Sequence, residues 1–134
     1  MNRIGSYLKS GDIKGLMVFV KDPYLYAAIK RELGRFLENN PEFKDKVLEI
    51  GTETPEKTNR ETGSIGVDEI SRDVQTGKVL LSNEKGATGI DYKGNPDLIV
   101  ADAHNWTISE LKQAISRNNR AGTLYGYTAM FYFL

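Results

Sequence analysis

Gln113, Arg117 and Arg120 stand at i, i+4 and i+7 in a stretch of helical periodicity, so they share one helix face. A polar face closed by two arginines suits an anion. Guanidinium groups are always charged and planar, and each can hold two oxygens of a phosphate at once. Upstream lies a polar, glycine-rich loop, Ser82-Asn83-Glu84-Lys85-Gly86-Ala87-Thr88-Gly89-Ile90-Asp91, at the end of an apolar strand. A second apolar run, Leu98 to Asp102, separates that loop from the helix. The chemistry is therefore expected where the Gly-Asp loop meets the arginine face. On the residues alone other readings stay open. The arginines also suit a solvated helix end favoured by the C-terminal dipole. Gly86 and Gly89 also suit turns, and Asp91 a turn cap.

Composition narrows the chemistry. The 134 residues allow one domain with a real core, spanning 1–134. Eighteen Lys and Arg balance eighteen Asp and Glu, so no large basic field advertises nucleic-acid binding. Any phosphate contact must come from a local patch and be sensitive to salt. The chain has no cysteine, which removes disulfides, thiol catalysis and thiolate metal ligands. With one histidine and no His-carboxylate spacing pattern, no metal site is expected. No signal peptide or spanning segment is visible, and an intracellular, non-membrane protein is expected.

The elements that would position these groups alternate. Ile4 to Leu8 reads as a short helix. Leu16 to Val20 is a continuous apolar run, too short for a buried helix and suited to a strand covered on both faces. Asp22-Pro23 is an N-cap followed by a first helical position, and Leu25, Ile29, Leu33, Phe36 and Leu37 form the stripe of that helix. Gly34 within it suggests close packing. Val47 to Ile50 is the second strand. Thr54 to Gly66 is polar and expected to be a mobile loop, with Arg60 and Glu61 as an alternative helix start. Val67, Ile70 and Val74 repeat at helical spacing, and Lys78 to Ser82 and Leu98 to Asp102 are strands three and four. Thr107 and Glu110 form a capping-box pattern for the last helix, on which Ile108, Leu111 and Ile115 are expected to pack against the sheet. His104 reads as a loop residue and Trp106 as packing at the helix start. Tyr125 to Leu134 is expected to be a final strand that closes the domain. The alternation predicts an α/β fold, three layers (α/β/α) with a mostly parallel sheet.

In this order the elements resemble the second RecA-like domain, the helicase C-terminal domain, of superfamily 2 helicases. The resemblance runs from about Gly15 to the end. Leu16 to Val20 is similar to the motif IV strand, and Val79 to Asp91, with its Gly-Ile-Asp, is similar to motif V. Gln113 to Gly122 (Gln-Ala-Ile-Ser-Arg-Asn-Asn-Arg-Ala-Gly) resembles motif VI, although Ser116 and Asn119 stand where the family usually has glycines. The resemblance implies a RecA-like (P-loop NTPase-like) fold without a P-loop. It implies Arg120 as an arginine finger with Arg117 beside it, and Gly89, Asp91 and Gln113 at a nucleotide. It also implies Gly51, Thr52, Asn83, Lys85, Gly86 and Thr88 along a nucleic-acid backbone.

The departures set the functional expectation. No G-x-x-x-x-G-K-[ST] occurs and no Asp-Glu box follows a strand. Alone, such a chain neither hydrolyses ATP nor unwinds a duplex, and it needs no cofactor. ATP and Mg would enter only with a separate first RecA-like ATPase domain, to which the arginines would be supplied in trans. The expected function is a helicase C-terminal-like, nucleic-acid-associated module. The alternative is a protein-interaction module that docks on a helicase or other partner through the former ATP cleft. A stand-alone nucleotide-binding enzyme ranks last, because no nucleophile, base or metal constellation stands out.

Overall fold

The computed structural model describes residues 2–10, 15–74, 78–87, 92, 96–118 and 129–132, with the backbone alone at 2, 3, 116–118 and 129–131. Strands β1 (Leu16–Phe19), β2 (Val47–Ile50), β3 (Val79–Ser82), β4 (Asp97–Val100) and β5 (Ala129–Phe131) form one sheet in the order β2-β3-β1-β4-β5. Every pairing is parallel. β1 lies at the centre, with Leu16 opposite Val79 on one side and Asp97 on the other. All its side chains are buried, as a continuous apolar run in a doubly covered parallel sheet requires.

The helices are α1 (Asn2–Ser10), α2 (Pro23–Asn39), α3 (Val67–Asp73) and α4 (Ile108–Asn118). Right-handed crossovers assign them to faces. The β1-to-β2 step travels one way along the sheet and the later steps travel the other, so the helices must change face. They do. Ile4 and Leu8 of α1 and Leu33 of α2 pack with Leu16, Val18 and Leu81. Ile70 of α3 and Ala114 of α4 pack with Met17, Phe19 and Leu80 on the opposite face. The architecture is the three-layer α/β/α arrangement predicted from the alternation.

Local chemistry fixes the helix starts. The Asp22 side chain accepts from the amides of Tyr24 (2.9 Å) and Leu25 (3.5 Å), and Pro23 holds the first helical position. In the capping box of α4, Glu110 N–H donates to Thr107 Oγ1 at 3.1 Å and Thr107 N–H to Glu110 Oε1 at 2.8 Å.

Two expectations are corrected. Ile108 does not pack on the sheet: it is 73% exposed, and Ala114 is the buried contact, with Leu111 and Ile115 partly buried beside it. Gly34 serves no close packing, because a Cβ there would meet nothing within 4 Å. The segment from Thr54 to Gly66 is a loop, as expected, and the alternative helix start at Arg60 is not taken. Asn59 and Ser64 exchange backbone bonds of 2.9 and 3.1 Å, and Val67 N–H donates to Pro55 O at 2.9 Å. Gly66 is required there, since a Cβ would collide with the Lys57 backbone. Of the predicted last strand, Ala129–Phe131 is observed beside β4, and 125–128, 133 and 134 lie outside the described residues.

Candidate functional site at the strand ends

In an all-parallel sheet every strand delivers its following loop to the same edge. β1 feeds a helix on one face, whereas its neighbours β3 and β4 feed connections on the other. Crevices open where neighbouring strands diverge in this way, and ligands of open α/β sheets bind there.

Asp102 ties these loops together. It is fully buried just beyond β4. Its carboxylate accepts from Lys21 N–H (3.1 Å to each oxygen), Asp22 N–H (2.7 Å), Asn105 Nδ2 (3.0 Å) and Trp106 Nε1 (2.9 Å). Burial alone would raise its pKa, but these hydrogen bonds to the charged form outweigh burial and hold it below the usual carboxylate range. Trp106 then stacks on Phe19, ring centroids 6.2 Å apart. Lys21 Nζ lies 5.6 Å from the Trp106 ring centroid and 2.9 Å from Glu110 Oε2, and 3.6 Å from Glu84 Oε2. One lysine thus bridges the loops after β1 and β3 and the first turn of α4. Its pKa is raised, chiefly by the hydrogen bond to Glu110.

Beside this knot a cleft of about 840 Å³ opens at the ends of β1, β2 and β3. Val20, Lys21, Pro23 and Tyr26 form one wall, and Thr54, Pro55 and Ile65 belong to the other. Glu49, Glu53 and Glu84 also line it, and among the described residues Lys21 is its only basic lining residue.

Several of the predicted residues meet here. Gly51, Thr52 and Asn83 line the cleft together. Asn83 Nδ2 lies 3.4 Å from Thr52 Oγ1, and the Gly51 amide donates to Thr54 Oγ1 at 2.9 Å. Lys85 borders the site, its amide donating to Asn83 Oδ1 (2.9 Å) and its ammonium to Thr54 O (2.6 Å). Gly86 is buried, its amide donating to Asn83 O at 3.2 Å, and a Cβ there would collide with the Ser82 side chain. Tyr92, fully buried, donates from its hydroxyl to Gly86 O at 2.6 Å and pins the loop. Gln113 is exposed on α4, beside Ile108, Ser109 and Lys112, away from the cleft lining. Arg117 falls in the last turns of α4, where only the backbone is described. Thr88, Gly89, Asp91 and Arg120 lie outside the described residues. The sequence reading missed Asp102, Lys21 and Tyr92. Only the Asp102–Trp106 spacing after an apolar strand could have marked the first.

The sequence lacks the phosphate loop, and among the described residues no group of His, Asp and Glu could hold a metal ion. Among the described residues, too, no helix is long and apolar enough to cross a membrane.

No protein-family model and no curated protein matches the sequence. Among solved structures, the chain is similar to the C-terminal part of the Fun30 ATPase domain, with a TM-score of 0.57 and 17% identity. The match covers 88% of this chain and 34% of that one, so the present chain spans about a third of the solved structure's length. The chain has a RecA-like fold. At this identity the likeness speaks for the fold alone, and the function must be argued from the strand-end face.

Proposed function

We propose that this chain is a helicase C-terminal-like module that acts through a partner protein docked in the strand-end cleft. The lining of that cleft carries the reading. Three carboxylates face one ammonium, and that ammonium is held by Glu110 and Glu84. Such a surface repels a phosphate backbone and suits a protein segment. A separate first RecA-like ATPase domain is one partner of this kind. It would bring ATP and Mg, and Arg117 and Arg120 would reach its phosphates in trans.

A second reading, nucleic-acid association, is favoured by the meeting of Thr52 and Asn83 at the cleft with Lys85 behind them. Hydroxyl, amide and ammonium donors of this kind contact sugar-phosphate backbones. Anisotropy of labelled single- and double-stranded oligonucleotides over a salt series separates the two. The docking reading expects no affinity that falls with salt and is weakened by Thr52→Ala and Asn83→Ala. Salt-sensitive binding lost in those variants would replace it with the nucleic-acid reading.

A further inference from the structure

The chemistry of the cleft also points to what the docked segment carries. Lys21, its only basic lining residue among the described residues, is already committed to Glu110 at 2.9 and 3.1 Å. Of the three carboxylates, Glu84 is 3.6 Å from that same lysine, and Glu49 meets Lys30 at 3.1 Å in a solvent-exposed pair that holds it weakly. Glu53 makes no ion pair among the described residues. The cleft therefore keeps unspent negative charge.

Its shape adds direction. Pro23, Tyr26, Pro55 and Ile65 supply apolar wall. A Cβ built at Gly51 would stand 3.7 Å from Glu49 Oε1 and 3.8 Å from the Tyr26 hydroxyl, so both groups lie beside that glycine. That hydroxyl is shielded from water, with the Glu49 carboxylate as its neighbour. Burial and the adjacent Glu49 charge push its pKa up, so it stays a neutral phenol. Carboxylates at Glu49 and Glu53 beside apolar walls match a long cationic side chain with an apolar stem. Arginine fits both requirements, since its guanidinium grips a carboxylate with two parallel N–H bonds while its stem lies along apolar surface.

We propose that the cleft takes an extended, arginine-bearing segment of a partner protein, one arginine reaching to Glu49 and Glu53 while neighbouring residues lie against Pro55 and Ile65. This rests on the docking reading above. Amide chemical shifts of the full chain test it with three probes: a short arginine-containing peptide, the same peptide with citrulline replacing arginine, and a short single-stranded oligonucleotide. The arginine peptide should move the amides of Gly51, Thr52, Thr54 and Ile65 and bind at least about tenfold more tightly than the citrulline peptide, the size of one good charge-assisted contact. Glu49→Gln with Glu53→Gln, at exposed or half-exposed positions that leave the core intact, should erase that preference. Equal binding of both peptides, or a preference that survives the double variant, would overturn the arginine assignment and leave docking standing. No shift at the cleft with either peptide would overturn both. Shifts there with the oligonucleotide alone would transfer the site to the nucleic-acid reading.

Discussion

Asp102 governs the strand-end face through its hydrogen bonds. Removing its carboxylate strands the amides of Lys21 and Asp22 and the donors of Asn105 and Trp106. Asp102→Ala should lower unfolding stability in urea by about 2–4 kcal/mol. The pH dependence follows from its lowered pKa. Its contribution is complete above the unfolded carboxylate value of about 3.9 and is lost as pH falls through the lower folded value. The stability gap between the parent chain and Asp102→Asn should therefore narrow below about pH 4, as melts over a pH series would show. In the sequence Asp102 is merely the last residue of a predicted strand, because its importance comes from Lys21 and Asp22, distant in the chain. Gly86 was similarly opaque. Its position in a polar loop suggested a turn or a backbone contact, whereas its packing against Ser82 and Tyr92 depends on how the loop folds back. What could be read at this scale was local: the Asp22 cap and the Thr107–Glu110 box, each spanning a few residues.

Elements were legible where periodicity spoke. The four-residue runs of β1 and β3 and the stripe of α2 stand where the apolar spacing placed them. Their exceptions have physical reasons. Ile108 shares the angular position of Leu111 and Ile115 on α4 yet is exposed, and helix periodicity alone does not report which turn of a helix is covered. Gly34 sits in the middle of α2 facing open space, so its lack of a side chain costs helix stability without return. Gly34→Ala should raise stability by about 0.5–1 kcal/mol, seen as a melting point higher by a few degrees, with no change in the cleft. The loop between β2 and α3 looked featureless because its order is long-range. Thr58 Oγ1 and its amide both bond Asp68 Oδ1 at 3.0 Å, and Lys85 reaches across to Thr54. Composition alone registers none of these contacts.

For the whole molecule, alternation revealed the class but not the strand order, since crossover direction is decided by packing on either face. Parallel delivery of loops to one edge is why Gly51, Thr52 and Asn83 lie together. The carboxylate lining that changes the functional reading appears only once Glu49, Glu53 and Glu84 are seen around one cavity. The two apolar clusters share the same strands, alternate side chains of β1 serving each face. They should therefore unfold together. Fluorescence of Trp106, the chain's single tryptophan, and far-UV dichroism should give one denaturation midpoint, and separated midpoints would divide the domain. The central place of β1 has a further consequence for synthesis. Of the five strands it is translated first, yet its hydrogen-bonding neighbours, beginning at Val79 and Asp97, are among the later ones. Until β4 leaves the ribosome, Leu16–Phe19 remains a wholly apolar strand with an unpaired edge. A nascent chain stalled before Asp97 would present a sticky template, and this stretch is where a chaperone would be needed.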